Sequence, residues 1–225
     1  VTIIAMTALT IISVQYGSKN INSAISAQME AELQVQGNKV TNYFTKIIDI
    51  ANTLASTVNS SYQQVNLDSF ETELVDIVTQ NDALIGSGIW FESGYFTNGI
   101  EKIEANATVS TAEQGMADSE EESSEEETIY YVGPYAMRDN GKIQITYKYS
   151  TADNSYFKQK FYMMAKEVKS TILTEPMYDI TARSFKVTAI VPMFTDNVFI
   201  GCVTVDVSLD NIKEFIGNAA IGDNG

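Results

Sequence analysis

Aromatic rings and carboxylates in the second half of the chain are the groups best suited to recognise a small molecule. A cation is attracted both to aromatic faces and to carboxylates, so a cavity that combines them would bind a cationic or zwitterionic compound. The candidates are two aspartates, Asp179 and Asp206, and the rings of Tyr130, Tyr131, Tyr147, Phe161, Tyr162 and Tyr178. Each tyrosine could instead pack in the core of a sheet, which is the commoner role of such side chains.

The two aspartates each have an alternative to ligand binding. Asp179 follows Pro176 at a bend in the chain, where a short side chain can cap a turn. Asp206 lies between Val205 and Val207 in an apolar run. Because side chains alternate along a strand, Asp206 faces away from both valines, toward either solvent or a pocket. The same two carboxylates are also what a histidine-free hydrolase of the glycosidase type would need.

The sequence contains no histidine and a single cysteine, Cys202. Ser-His-Asp catalysis, Cys-His catalysis and histidine-ligated metal sites are therefore excluded. One cysteine cannot form an internal disulfide, and its apolar neighbours predict that Cys202 is a small buried core residue. We expect no metal and no cofactor.

Negative charge dominates the chain, with a formal net charge of −15. Seven acids fall between Asp118 and Glu127, and no basic residue occurs between Lys102 and Arg138. A nucleic-acid partner is disfavoured, because it requires a basic surface. The segment around 104–128 is rich in Glu, Ser and Ala, which predicts a disordered surface loop. It lacks the Asp-x-Asp-x-Asp-Gly spacing of a calcium-binding loop.

The N-terminal quarter of the chain has the pattern of a membrane-anchored helix. Residues 1–14 carry no charge and are apolar apart from Thr and Ser, so we expect the end of a transmembrane helix at 1–16. A secretory signal or a buried helix is the alternative. Residues 17–62 have apolar side chains at spacings of three and four, which predicts a long stalk helix, or two helices broken near Gly37. The apolar stripe suits homodimerisation, although one chain could also bury it.

The rest of the chain predicts an α+β domain. Residues 67–79 have the pattern of an amphipathic helix, with Asn66 or Asp68 as its N-cap. Asp139-Asn140-Gly141 is the turn of a hairpin at 130–149. Further strands are predicted at 84–91, 185–191 and 198–207. The predicted fold is a long N-terminal helix followed by an antiparallel sheet of about five strands flanked by helices.

The order of short motifs along the chain resembles that of the extracellular double-Cache sensor domains. The motifs are GIWFE, YYVGPYAMRDNGK, YFKQKFY, TEPMYD, VPMF and FIGCVTVDVSLDNI. Double-Cache domains are the PAS-like ligand-sensing modules of bacterial chemoreceptors, sensor histidine kinases and membrane-bound diguanylate cyclases. The resemblance covers roughly residues 20–217 and depends on the ordered series, since each motif alone is weak.

The resemblance implies a domain organisation. Residues 63–217 correspond to the membrane-distal PAS-like module that holds the ligand, and residues 218–225 to the start of a truncated membrane-proximal module. The long helix would rise from a first transmembrane span, and a second span and a cytoplasmic output domain would follow. The implied location is a bacterial cell membrane, with the sensor domain outside the cytoplasm. The chain itself is then not an enzyme, because any catalysis would lie in the output domain.

The resemblance also implies a binding site. In amino-acid-binding members, the arginine of an Arg-x-Trp-Tyr pattern on the short helix grips the ligand carboxylate, and two downstream aspartates receive its amine. Gln159 stands at the place of the arginine, Phe161 and Tyr162 stand at the Trp-Tyr positions, and Asp179 and Asp206 match the aspartates. The missing arginine matters, because a neutral glutamine cannot replace its bidentate charged contact.

These observations predict an extracytoplasmic domain that senses a small amine-containing or zwitterionic molecule and signals through the long helix. The predicted ligand contacts are Tyr130, Tyr147, Gln159, Phe161, Tyr162, Tyr178, Asp179 and Asp206. Lys158 or Lys160 could supply the positive charge that the arginine would have provided, although each points away from Gln159 on a helix. The alternatives are a carboxylate-dependent hydrolase and a surface protein-interaction module.

Overall fold

The computed structural model describes residues 2–98, 129–179 and 184–210. The predicted acidic loop at 104–128 and the predicted proximal segment at 218–225 lie outside the described residues. The chain divides into two compact units, one of which is Lys46–Asn211. The other unit contains the N-terminal residues, which are helical over 2–45.

A single helix, α1, runs over Thr2–Ser61 and is not broken at Gly37. Its part within Lys46–Asn211 buries apolar residues at the spacings of three and four that the sequence pattern indicated. These are Ile47, Ala51, Leu54, Ala55 and Val58. In the part of the chain that the structure describes, no helix is both long enough and apolar enough to cross a membrane.

The second helix, α2, spans Leu67–Gln80 and begins at one of the two predicted caps. Asn66 is extended, and its side chain accepts a hydrogen bond from the backbone N–H of Ser69. This bond satisfies a donor that the first turn of a helix otherwise leaves without a partner. The apolar face of α2 is buried through Leu67, Phe70, Leu74 and Val78.

One antiparallel sheet of seven strands forms the centre of the unit Lys46–Asn211. Its strands are β1 (Leu84–Phe91), β2 (Tyr135–Asp139), β3 (Lys142–Thr146), β4 (Ile172–Leu173), β5 (Met177–Asp179), β6 (Ser184–Thr195) and β7 (Val198–Ser208). A 3₁₀ helix, Tyr156–Lys158, and helix α3, Lys160–Glu167, lie between β3 and β4 in the chain. The order across the sheet is β3-β2-β1-β7-β6-β4, and β5 also pairs with β6. The predicted α+β fold is confirmed, with two more strands than expected because β4 and β5 are too short to show an alternating pattern.

Two hairpin turns are made by residues that tolerate a positive φ. Asn140 and Gly141, at φ 48° and 77°, connect β2 to β3 as the sequence predicted. Asp196 and Asn197, at φ 51° and 64°, connect β6 to β7. Two consecutive positive φ values are the signature of a tight hairpin whose twist matches its strands. The second turn therefore helps to set which residues of the long strands β6 and β7 lie opposite each other.

Both faces of the central strand β1 are covered by aromatic side chains. On one face Phe91 packs against Tyr62, which follows α1, and against Phe70 of α2. On the other face Trp90 contacts Tyr156 of the 3₁₀ helix, with ring centroids 5.4 Å apart. Neighbouring side chains of a strand point to opposite faces. The sheet thus separates a core shared with α1 and α2 from a second aromatic layer next to α3.

Gly201→Ala is expected to destabilise the protein more than Gly94→Ala. Both glycines have a positive φ, of 144° and 81°, so either substitution strains the backbone by about 1–3 kcal/mol. A Cβ at Gly201 would also lie 2.2 Å from the carbonyl oxygen of Trp90 on the adjacent strand, whereas one at Gly94 would meet no described atom within 4 Å. We expect Gly201→Ala to lower the free energy of unfolding by at least about 3 kcal/mol in urea titrations. Equal losses would contradict the close approach of β1 and β7.

Candidate functional site

A cavity of about 200 Å³ opens on the face of the sheet that carries Trp90. Residues of five strands, of the start of α3 and of the segment after β3 line it: Trp90, Tyr135, Tyr149, Gln159, Lys160, Phe161, Met177, Lys186, Thr188, Thr204 and Asp206. The volume is below the roughly 300–1,000 Å³ of sites for drug-sized ligands. The cavity therefore suits a molecule of about the size of an amino acid.

Two glycines of β1 make room for two of the rings that line this cavity. Gly86 lies opposite Asp206, and Gly88 lies opposite Thr204 on β7. A Cβ at Gly86 would be 2.1 Å from the hydroxyl oxygen of Tyr135, and a Cβ at Gly88 would be 2.6 Å from the indole ring of Trp90. In the Gly-x-Gly-x-Trp sequence of β1, the rings of Tyr135 and Trp90 therefore occupy the space that side chains larger than glycine would need.

Three charged groups form a cluster, and two of them, Lys186 and Asp206, line the cavity. The Nζ atom of Lys186 on β6 is 3.2 Å from Oδ2 of Asp206 on β7 and 3.3 Å from Oδ2 of Asp179 on β5. The side chain of Asp206 is 4% exposed, and those of Lys186 and Asp179 are 21% and 19% exposed. We call these three residues the charged cluster. Its ammonium group is held between two carboxylates, one from each neighbouring strand.

Hydrogen bonds from neutral side chains hold Asp206 in place. The hydroxyl of Tyr135 donates to Oδ2 at 2.7 Å, and the hydroxyl of Thr188 donates to Oδ1. Thr188 lies directly opposite Asp206 in the pairing of β6 with β7. Lys186 lies two residues before Thr188, so both side chains face the cavity side of the sheet. With Lys186 included, Asp206 accepts three donors, which uses most of the capacity of a carboxylate.

Aromatic side chains form the walls of the cavity. The rings of Trp90 and Tyr135 are stacked, with centroids 5.8 Å apart and an angle of 27° between their planes. Phe161 of α3 approaches Trp90 at 5.1 Å, and Tyr149 approaches it at 6.1 Å. The indole Nε1–H of Trp90 donates to Oγ1 of Thr204 at 2.9 Å, which fixes the orientation of the ring. These walls offer rigid apolar surface to the body of a small molecule.

Charge and burial set the protonation of the donors in this site. The carboxylate of Asp206, assisted by that of Asp179, raises the pKa of Lys186 above its usual range, although burial acts in the opposite direction. Burial raises the pKa of Tyr135, and the negative charge of Asp206 raises it further. At neutral pH both groups therefore carry their protons and can donate hydrogen bonds.

Three of the eight predicted contact residues line the cavity, namely Gln159, Phe161 and Asp206. Asp179 is joined to them through its ion pair with Lys186. Of the two lysines that could replace the family's arginine, Lys160 lines the cavity and Lys158 is not among the lining residues.

The other four predicted residues, Tyr130, Tyr147, Tyr162 and Tyr178, are not among the residues that line the cavity. Tyr162 is buried in the aromatic layer, and its hydroxyl donates to Glu92. The hydroxyl of Tyr147 donates to Glu71 of α2. Tyr178 is 56% exposed and packs on Phe185, and the backbone N–H of Tyr130 donates to the hydroxyl of Ser93. The position of Tyr162 corresponds to the packing alternative for tyrosines, and ligand contact by the four stays a prediction.

Seven further lining residues are not among the predicted ligand contacts: Trp90, Tyr135, Tyr149, Met177, Lys186, Thr188 and Thr204. The sequence pattern does distinguish three of them. Lys186, Thr188 and Thr204 are polar residues at alternate positions in apolar strands, as is Asp206. Such alternation indicates polar groups that share one face. Tyr135 and Tyr149 carried no signal that separates them from tyrosines of the core.

Two other kinds of reactive group concern the site, namely metal-ligating clusters and the thiol of Cys202. Among residues 2–98, 129–179 and 184–210, no group of three or more His, Cys, Asp or Glu side chains is arranged to hold a metal ion. Cys202 is fully buried, and burial raises the pKa of its thiol, so it is not a reactive thiolate.

A model of one protein family matches residues 70–214 of the chain. The family is described as the methyl-accepting chemotaxis protein-like, first PDC sensor domain. The matched range includes all seven strands and every residue that lines the cavity. No curated protein sequence matches the chain.

Solved structures share the fold at low sequence identity. The extracellular domain of a candidate histidine kinase, mmHK1S-Z3, is 19% identical with a TM-score of 0.59, covering 86% of this chain and 60% of that chain. Methyl-accepting chemotaxis protein X is 16% identical with a TM-score of 0.52, covering 83% and 65%. The ligand-binding domain of the Campylobacter jejuni chemoreceptor Tlp3, solved with L-norvaline, is 12% identical with a TM-score of 0.54, covering 87% and 62%. The chain thus spans about three fifths of the length of these structures, and the likeness shows the fold.

Asp206→Asn is expected to destabilise the protein more than Asp179→Asn. Each substitution keeps the shape of the side chain and removes its charge, but Asp206 is the more buried partner of Lys186. Breaking a buried ion pair from one side costs about 3–5 kcal/mol, and the loss from Asp206→Asn should lie near the lower value because Asp179 still faces the ammonium. Urea unfolding followed by circular dichroism measures both variants. A larger loss in Asp179→Asn would contradict the central position of Asp206.

The stability of the protein is expected to fall at alkaline pH. Folding raises the pKa of Lys186, Tyr135 and Tyr156. Above about pH 10 the unfolded chain releases protons that the folded protein retains, so the free energy of unfolding decreases as the pH rises. Urea titrations between about pH 8 and about pH 11 measure the slope. Tyr135→Phe should make the slope shallower, and an unchanged slope would show that this phenol does not contribute.

Proposed function

Since the chain belongs to the family of first PDC sensor domains of methyl-accepting chemotaxis protein-like receptors, we propose that it is the small-molecule sensing domain of a membrane receptor. The family is one of sensor domains rather than catalytic domains. This agrees with the double-Cache resemblance of the motif series. The proposed site is the cavity beside the charged cluster.

One observation carries the proposal, namely that the charged cluster lies against an aromatic-walled cavity. A buried ion pair adds little to stability, because the loss of hydration offsets most of the attraction. Charged groups in a concave, largely apolar site are instead typical of ligand recognition. Lys186 and Asp206 provide the charges at the cavity, and Trp90 and Phe161 provide apolar surface.

Structures of the same fold support a ligand of this size. The Tlp3 domain of Campylobacter jejuni was solved with L-norvaline and with isoleucine bound. The mmHK1S-Z3 structure is that of an extracellular domain. We extend the proposal to an extracytoplasmic location for this domain, to membrane attachment before it in the chain, and to homodimerisation through α1.

The proposed ligand has a polar end at the charged cluster and an apolar body between Trp90 and Phe161. The sequence predicts a zwitterionic or amine-containing compound. The carboxylate of a zwitterion would meet Lys160 and Lys186, which both line the cavity. A cavity of about 200 Å³ limits the ligand to a small metabolite.

A carboxylate-dependent hydrolase agrees less well with the geometry. Such an enzyme needs space between its two carboxylates for the scissile bond or for a water molecule. The Nζ atom of Lys186 lies within 3.3 Å of Oδ2 of both Asp179 and Asp206. The ammonium therefore occupies the space that the substrate would need. In this proposal any catalysis belongs to an output domain of the whole receptor.

One hydrogen bond connects the segment that leads to the cavity with α1. The hydroxyl of Thr171, just before β4, donates to Oδ1 of Asn52 on α1 at 2.7 Å. The chain continues from Thr171 through β4 to Met177, which lines the cavity. A ligand that draws this segment inward would move Thr171 relative to the helix. A coupling of about 1–3 kcal/mol is enough for a signalling equilibrium.

Small molecules that occupy the cavity are expected to raise the melting temperature of the purified chain. Binding to the folded state alone stabilises it by about 2.7 kcal/mol at a hundredfold excess over Kd. A thermal-shift screen of amino acids, small amines and small carboxylates tests this expectation. Phe161→Ala should remove the shift because the ring is a wall of the cavity.

Tyr95→Ala is the matched control for this screen. Tyr95 is an exposed aromatic residue that is not among the residues that line the cavity. We expect the shift to persist in this variant. A shift that persists in Phe161→Ala and disappears in Tyr95→Ala would contradict the cavity as the site. The absence of any shift with the whole panel would contradict the sensing proposal.

A further inference from the structure

We infer that the cavity recognises its ligand through an acidic group, such as a carboxylate, and does not require an amine. The inference rests on the proposed sensing function and narrows the ligand class of the same cavity. It differs from the expectation drawn from the sequence, in which two aspartates receive the amine of the ligand.

Lys186 already occupies the place that a ligand amine would take between the two aspartates. Its Nζ atom lies 3.2 Å from Asp206 and 3.3 Å from Asp179. A second ammonium group at this position would be repelled by the first. It would also have to separate a largely buried ion pair, which leaves charged groups without their partners. The protein thus supplies its own ammonium where an amine-binding site would need an open position.

Asp206, the one aspartate of the cavity lining, has little capacity left for a donor from the ligand. A carboxylate offers about four acceptor positions. Tyr135 and Lys186 donate to Oδ2, and Thr188 donates to Oδ1. The side chain is only 4% exposed. A ligand amine would therefore have to displace a donor that the fold holds in place.

Lys186 and Lys160 can instead donate hydrogen bonds to the ligand. An ammonium group has three N–H donors, and in the part of the chain that the structure describes the acceptors of Lys186 are the two carboxylates. Lys186 also lines the cavity, as does the exposed Lys160 of α3. A carboxylate can accept a hydrogen bond from the first lysine and pair with the second. Charge-assisted bonds of this kind are among the strongest that a small polar group can form.

Two sets of compounds with matched shapes test the inference. The first set is isocaproate, leucine and isoamylamine, and the second is hydrocinnamate, phenylalanine and phenethylamine. In each set the acid lacks the amine and the amine lacks the carboxylate, while the apolar body is the same. Isothermal titration of the purified chain gives the Kd of each compound. In at least one set we expect the acid to bind within about threefold of the amino acid, and the amine to bind at least about tenfold more weakly.

The outcomes separate the inference from the proposed function. An amine that binds as tightly as its acid, or an amino acid that binds while its acid does not, would overturn the inference and leave the sensing function intact. Binding by none of the six compounds would overturn both. Binding by the acids and not by the amines would support both.

Lysine variants locate the acidic group of the ligand. Lys160→Met should weaken binding of the tighter acid by about tenfold, because one of its charged partners is lost. Lys158→Met is the matched control, since this exposed lysine lies two residues away and is not part of the lining. Lys186→Met alone would leave two carboxylates without their ammonium, so it is combined with Asp206→Asn and its folding is checked by circular dichroism. Unchanged acid binding in both Lys160→Met and the folded double variant would overturn the inference.

Discussion

The ion pairs of Lys186 with Asp206 and Asp179 constrain the rest of the structure. Charged groups in the middle of a sheet are tolerated only when they meet partners of opposite charge. The three partners come from three adjacent strands, so β5, β6 and β7 must pair in a single register. A shift of one residue would turn Lys186 to the opposite face. The register of β6 against β7 at the site follows from the turn at Asp196 and Asn197 together with the shift in pairing between Met193 and Phe194, which lies between the turn and Lys186.

One face of the sheet carries the hydrophobic core, and the other carries the cavity. One face is filled by α1 and α2, whose aromatic contact with β1 is made through Phe91. On the other face, Gly86 and Gly88 of β1 leave room for the rings of Tyr135 and Trp90. These rings and those of Tyr149 and Phe161 are the aromatic walls of the cavity. A stable core and an open cavity thus share one set of strands.

The sequence predicts the local elements well because each has a local cause. The hairpin at Asn140 and Gly141, the Asn66 cap and the buried stripe of α1 all follow from neighbouring residues. The cavity depends on pairings between distant strands, which no local pattern specifies. The family resemblance pointed to Gln159, Phe161 and Asp206, but it could not show that Lys186 lies between the aspartates. It also could not separate tyrosines of the walls, such as Tyr135, from core tyrosines such as Tyr162, since both are aromatic residues among apolar neighbours.

Trp90 gives the most direct measurement of the central claim, that the cavity binds the ligand. It is the only tryptophan of the chain, and its indole N–H donates to Thr204 within the cavity. The indole N–H therefore gives one resolved signal in a two-dimensional NMR spectrum of the labelled protein. We predict that a ligand found by calorimetry shifts this signal in a saturable way, with the same Kd as the heat of binding. A ligand that binds with a measurable Kd and leaves the Trp90 signal unmoved at saturation would contradict the account.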